Sequence, residues 1–311
     1  MNRCSADPAG PFGTGIGDSE DLRRLLVEQQ LMIAKKMPGD VSVEVFRLHL
    51  KREHARSSGT TLNCVVVAGN LTCFTGAQAG TMAAATTKNL NTKAWFAVTA
   101  LTVIMGVLLF SSAGTLHYWQ AWVYLSIFTG ASVLTTLYLM RKDPALLERR
   151  MSGGPTAEKR PTQKLIMLFT SIGFIALIVV PALDYRFGWS SAPVSIVVIG
   201  DALVAIGFYL ISRVYRENTF TAATIEIAEN QKVISTGPYA IVRHPMYASA
   251  SLYLLGTPLA LGSLWGLVPS VAIIPFLIWR LFDEEQFLSR NLPGYADYQQ
   301  QVRHRLVPFI W

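Results

Sequence analysis

Charged side chains are scarce in this chain. Asp, Glu, Lys and Arg make up 15% of its 311 residues, against about 25% in an ordinary soluble domain. The mean hydropathy is +0.35, which places the chain on the membrane side of the soluble/membrane divide. Cysteine is scarce too. Cys4, Cys64 and Cys73 show no CxxC spacing and have no histidine pair near them at zinc-finger distance. Neither a disulfide framework nor a metal site is indicated. A phosphate-cradling glycine loop is also missing from the setting it needs. Gly13, Gly15 and Gly17 lie in an irregular stretch and not between a strand and a helix. No basic region runs from Met1 into a long apolar core, so the start does not read as a signal peptide.

What the chain does have is long apolar runs. Crossing the hydrocarbon core takes about 20 apolar residues, and six segments qualify or nearly so: Ala94–Ser112, Tyr118–Met140, Leu165–Leu183, Ala192–Val214, Met246–Leu261 and Leu264–Phe282. Only Gly262 and Ser263 separate the last two, which read as a helical hairpin. The expected fold class is an all-α integral membrane protein of about six transmembrane helices. The connections alternate in charge. Ser112–His117 and the hairpin turn carry no Lys or Arg, and Asp184–Ser191 carries only Arg186. Arg141–Lys164 carries seven, and Arg213–Arg243 and the tail from Arg280 carry four each. The positive-inside rule then puts both termini and the two basic loops in the cytoplasm. Topology thus accounts for the net charge of +7, and no nucleic-acid reader motif competes with it. Trp95, Trp119, Trp122, Trp189 and Trp265 stand at span ends, where tryptophan anchors helices to the interface.

Three domains are expected. Residues 1–90 are polar and read as a flexible extension, with "MAAATTKNLNTKAWFAV" from Met82 resembling a natural start. Residues 91–215 hold the first four spans. Residues 216–311 hold the hairpin and a C-terminal amphipathic helix that includes Tyr295 and Tyr298. In the first basic loop, Asp143-Pro144 suits a helix cap followed by proline at the first helical position. The loop reads either as a short amphipathic helix or simply as a basic anchor.

The chemistry concentrates after residue 230. In "GPYAIVRHPMY", Gly237-Pro238 marks a turn and Pro245 suits the first turn of a helix. His244 then sits near the N-cap. The free N–H groups at that end, with the helix dipole and Arg243, favour an anion such as a ligand carboxylate. A structural alternative is that Arg243 anchors the interface and His244 caps. The sixth segment ends in "WRLFDEEQFL". Arg280 and Glu284 share a helical face, whereas Glu285 is turned about 100° away. A tight hairpin returns Arg280 and Glu284 to the level of His244 and Tyr247.

These stretches, with "LPGYADYQQQVRHRLVPFI", resemble the isoprenylcysteine carboxyl methyltransferase family and, more distantly, the phospholipid N-methyltransferases. The resemblance runs from Arg213 to Trp311. It implies an integral membrane methyltransferase with a cytoplasmic pocket for S-adenosyl-L-methionine. It assigns cofactor binding to Gln231, Lys232, Val233, Ile234, Tyr239, His244, Pro245, Met246, Tyr247 and Glu284, and a substrate carboxylate to Arg280. It implies a lipophilic or small-molecule methyl acceptor reached from the bilayer, with no metal and no nucleic acid. The acceptor atom stays open between carboxylate, amine and thiol. Two other functions compete. One is a membrane NADPH-dependent reductase of the sterol-reductase type, which shares an "RHPNY" hairpin where this chain has Met246. The other is a non-enzymatic scaffold or transport component, for which Asp201 in the fourth segment would be the ion-path residue.

Overall fold

The computed structural model describes residues 62–67, 70–151, 153, 158, 160–221, 223–225, 227, 231–308 and 310–311. The expected extension up to residue 61, Cys4 included, lies outside them. The chain divides into two compact units, Met1–Met82 and Ala83–Trp311.

The described part of the first unit holds an antiparallel pair of strands, β1 (Leu62–Val67) and β2 (Asn70–Thr75). Their register runs from Leu62↔Thr75 to Val67↔Asn70. The Val65-Val66-Val67 run suits a strand, and the brief apolar stretch around it is far too short to span a membrane. Helix α1 follows directly, over Gly76–Ala113, and so starts well before the expected Ala94.

The second unit is helical: α2 (Trp119–Lys142), α3 (Pro144–Met151), α4 (Pro161–Phe187), α5 (Val194–Glu217), a 3-10 turn (Gly237–Ala240), α6 (Pro245–Ala260), α7 (Leu267–Asn291) and α8 (Tyr295–Gln301). Among the described residues, four helices are long and apolar enough to cross a membrane: Asn89–Ala113, Trp119–Lys142, Pro161–Phe187 and Val194–Glu217. In the most apolar 18-residue stretch of each, only 17–28% is buried in protein, so most of this apolar surface is left without a protein neighbour. The hairpin differs. Helix α6 has 16 residues, about 24 Å of rise, less than the hydrocarbon thickness of about 30 Å. In α7 the apolar run ends at Phe282 and Asp283, Glu284 and Glu285 follow.

Helix α3 takes the amphipathic form. The Asp143 carboxylate accepts the Leu146 N–H at 2.9 Å, a side-chain cap, and Leu146 and Leu147 bury against Ala94 and Leu139. At the opposite end of the bundle, the buried Asp184 carboxylate accepts hydrogen bonds from the Ser190 N–H and the Ser263 hydroxyl, at 2.6 and 2.5 Å. This pins the α6–α7 turn to the end of α4.

The hairpin is held closest by α5. A Cβ placed on Gly200 would lie 2.1 Å from the Ala260 nitrogen, and one on Gly256 would lie 2.9 Å from the Gly200 carbonyl oxygen. Glycine at both positions lets the two backbones touch, the usual device for helix packing in lipid. Gly200→Val pushes backbone against backbone, which no rotamer relieves. It should destabilise the protein by roughly 1–3 kcal/mol, read as a lower melting temperature in detergent. Gly130→Val, with nothing within 4 Å of the new Cβ, should leave the melting temperature unchanged.

Candidate functional site

The site is built around the N-terminus of α6. His244 is its N-cap residue and Pro245 its first helical residue, as the sequence suggested. Ahead of them, Gly237 adopts φ +58°, the left-handed region that favours glycine. The turn it begins is tied to α5 by a hydrogen bond from the Thr236 hydroxyl to the Glu217 carboxylate. This places the Tyr239 ring. Its hydroxyl accepts from the Asn218 side-chain amide at 2.9 Å, and its carbonyl accepts from the Tyr298 hydroxyl at 2.7 Å. Asn218 belongs to "RENTF", Arg216–Phe220, the stretch that follows the fourth span and reads in the sequence as a support for the cofactor loop.

Arg243 does not raise the potential of an open anion site. Its Nε donates to Glu285 Oε1 at 2.8 Å, and its Nη1 donates to the carbonyls of Val302 at 2.8 Å and Arg303 at 3.1 Å. Glu285 also lies 3.2 Å from His244 Nε2 and accepts from Arg305 Nε at 3.0 Å. The backbone completes the lock, with the N–H groups of Arg243 and His244 donating to the carbonyls of His304 and Arg305 at 2.9 and 3.0 Å. Glu285 is turned away from Arg280, as helix geometry requires, and that turn is what delivers it to Arg243. Burial pushes its carboxyl up, but the hydrogen bonds from His244, Arg243 and Arg305 outweigh burial and hold it at about 2.

Arg280 and Glu284 share a face, but their main partners are others. Arg280 is buried, with Nη2 2.9 Å from Glu158 Oε1. Its Nη1 donates to Gln163 at 2.7 Å and its Nη2 to the Ala223 carbonyl at 2.9 Å. Gln163 in turn donates to Asp283 at 2.5 Å, and Arg160 reaches the same carboxylate at 2.9 Å. Glu284 accepts the Tyr247 hydroxyl at 2.6 Å.

All eleven residues singled out from the sequence line a single cavity of about 660 Å³: Gln231, Lys232, Val233, Ile234, Tyr239, His244, Pro245, Met246, Tyr247, Arg280 and Glu284. The cavity then runs into the bundle along an apolar limb that includes Met105, Phe128, Phe174, Phe208 and Tyr253. Phe208 meets Phe128 and Tyr253 edge-on, at 5.4 and 5.5 Å between ring centres, and Tyr253 is fixed by a 2.8 Å bond between its hydroxyl and that of Tyr124. Four apolar lining residues are exposed: Leu101 (46%) and Ile104 (55%) on α1, Phe174 (38%) and Ile175 (54%) on α4. Tyr295 and Tyr298, on the expected C-terminal amphipathic helix, line the cavity as well. Their i, i+3 spacing carried the signal, since it puts both rings on one side of α8. Glu158 and Gln163 gave no such signal, because only the fold brings them to Arg280. Asp201 is not among the lining residues. Further along α5, the Ser212 hydroxyl donates to the Tyr209 carbonyl at 2.6 Å.

Lipid-facing helices around a cavity with a polar mouth and an apolar limb define an integral membrane protein with an internal ligand site. Residues 195–293 match the phospholipid methyltransferase family. The chain is 27% identical over 158 residues to protein-S-isoprenylcysteine O-methyltransferase B of Arabidopsis thaliana, covering 47% of this chain and 73% of that protein. It is 25% identical over 109 residues to the nickel-cobalt-cadmium resistance protein NccN of Alcaligenes xylosoxydans xylosoxydans, covering 33% and 49%. Among solved structures, that of the eukaryotic intramembrane Ras methyltransferase ICMT aligns with 60% of this chain and 68% of its own at 20% identity, with a TM-score of 0.37. The similarity to methyltransferases is thus carried by residues 195–293, within a chain whose helices are long and apolar enough to cross a membrane.

The Glu285 lock sets an acid limit. A carboxyl held below its ordinary value of 4.5 at about 2 contributes stability that is complete above about 4.5 and is lost as pH falls toward 2. Glu285→Ala leaves buried positive charge unmatched and should cost roughly 3–5 kcal/mol. In melting curves recorded from pH 3 to pH 6, the native protein should gain stability with pH more steeply than the variant.

Proposed function

We propose that this chain transfers a methyl group from S-adenosyl-L-methionine to a lipophilic acceptor at the inner face of a bacterial membrane, with both termini in the cytoplasm. The observation that carries the reading is the two-part cavity, in which a polar mouth built from the predicted cofactor residues opens onto an apolar limb bordered by exposed apolar side chains on α1 and α4. The donor set fits the cofactor. Glu284, an acidic group at the mouth, suits the ammonium of its methionine end. Val233, Tyr239 and the start of α6 form a wall for the rest. When bound, the cofactor supplies an electrophilic methyl group. The chain's own part is to hold two reactants in line and to keep water away. The acceptor's apolar portion lies along Met105, Phe128 and Phe174 and enters from the bilayer between α1 and α4. The phospholipid methyltransferase match weighs against the reductase reading, and the position of Asp201 outside the cavity weighs against the ion-path reading.

The resemblance gives Arg280 to an acceptor carboxylate, which is already ionised at neutral pH and needs no base. Its guanidinium is matched here by Glu158, whose side chain is 2% exposed. That pairing favours a second reading, in which the acceptor is an amine or thiol lipid and Arg280–Glu158 is a neutral element of the wall.

The decisive assay uses purified protein, labelled S-adenosyl-L-methionine and a bacterial membrane lipid extract, with identification of the labelled product. A methyl ester supports the first reading and an N- or S-methyl lipid the second; no transfer to any lipid counts against both. Glu284→Gln should weaken S-adenosylhomocysteine binding by roughly 10- to 100-fold, as loss of a hydrogen bond to a charged group does. Arg280→Ala should keep that binding and lose transfer.

A further inference from the structure

Cys64 and Cys73 carry no CxxC spacing, and nothing in the sequence pairs them. The fold does. Cys64 lies on β1 and Cys73 on β2, and the antiparallel register sets them directly opposite each other. Two residues at opposed positions share one face of a two-stranded ribbon.

The kind of pair matters as much as the pairing. Along an antiparallel ladder, opposed residues alternate between two kinds. Hydrogen-bonded pairs have Cα atoms about 5.5 Å apart; non-hydrogen-bonded pairs have them about 4.5 Å apart, with the Cβ atoms at their closest. Ala68 and Gly69 alone separate the innermost pair, Val67↔Asn70, and the pair that closes a two-residue connection is of the hydrogen-bonded kind. Counting outward, Val66↔Leu71 is non-hydrogen-bonded, Val65↔Thr72 hydrogen-bonded and Cys64↔Cys73 non-hydrogen-bonded. A disulfide needs Cα atoms about 4.4–6.8 Å apart. The register therefore meets the demand of an S–S bond without moving the backbone.

We propose that Cys64 and Cys73 form a thiol–disulfide site, closed by a low-molecular-weight disulfide such as oxidised glutathione. The thiolate of one cysteine attacks the glutathione disulfide and releases one glutathione. The thiolate of the other then attacks the mixed disulfide and releases the second glutathione. The two cysteines give up two electrons and two protons between them, and the glutathione disulfide takes up both. Cytosolic thiols are kept reduced. With the N-terminus in the cytoplasm, closure answers an oxidising challenge and reduced glutathione reverses it. The site stands apart from the cavity and does not depend on the methyltransferase reading.

The test equilibrates the full chain in detergent with mixtures of reduced and oxidised glutathione, alkylates the remaining thiols and digests with trypsin. Cleavage after Arg56 and Lys88 gives one peptide, 57–88, that holds both cysteines and leaves out Cys4. In the reducing mixture it should carry two alkyl groups. In the oxidising mixture it should carry none and be lighter than the unalkylated thiol form by two hydrogens. The reference is the double variant Thr72→Cys, Cys73→Ser, which moves the second thiol one residue along and so to the other face. Its ring is shorter by one residue, a negligible change in closure cost, so a difference reads the register. The native chain should show a ratio of closed to open peptide roughly 10-fold higher than the variant in the same mixture. Persistent alkylation in the oxidising mixture, glutathione retained on both cysteines, or a link from either to Cys4 overturns the proposal. Equal closure in the variant overturns it too, because chain flexibility and not the sheet then brings the thiols together. A native N-terminus at Met82, read by mass spectrometry of protein from its own membrane, also overturns it, since the site is then no part of the protein.

Discussion

The Glu285 carboxylate is the point on which the site hangs. It sits on the helix that ends the hairpin, and its partners come from the helix that begins it and from the segment after α8. One buried anion thus joins three stretches of chain, alongside the backbone bonds from Arg243 and His244 to His304 and Arg305. An unpaired carboxylate would not tolerate that burial, and the cations around it would not tolerate each other. Each makes the position of the others affordable. His244 and Pro245 stand where they do because Arg243, immediately before them, is spoken for.

The hairpin converts this lock into a binding wall. Because α7 returns antiparallel to α6, its successive turns present different neighbours to the mouth. Glu284 faces Tyr247 and the cavity, Glu285 faces the lock, and Arg280, one turn earlier, faces the α3–α4 segment. Two adjacent acids therefore do unrelated work. Ridge geometry fixes this division of labour, and the close contact of α5 with α6 keeps the axis from rolling.

Much of the site was legible in the sequence because its pieces are local. Gly237, Pro245 and the His244 cap announce themselves through backbone requirements, and Arg280 and Glu284 through helical spacing. The four long spans followed from apolar length alone. What escaped were the pairings that only tertiary structure makes. Glu158 is an unremarked acid in a basic loop until Arg280 arrives beside it. Arg243 looked like an unattached cation because its partners lie 42 and about 60 residues downstream. The strands β1 and β2 fall on a brief apolar stretch, legible only as too short to span a membrane. The helix carrying Tyr295 and Tyr298 is legible, but not that their rings line the cavity, since a tyrosine's ring suits an interface and a cavity wall equally well.

The backbone hydrogen bonds from Arg243 and His244 to His304 and Arg305 also impose an order of events. Those carbonyls follow every membrane helix in the chain, so they leave the ribosome after the hairpin has been made. Until they arrive, the mouth of α6 has a histidine and an arginine without their acceptors and a carboxylate without one of its cations. Closing this end of the cavity therefore depends on the residues after α8, whereas the packing of α5 against α6 does not.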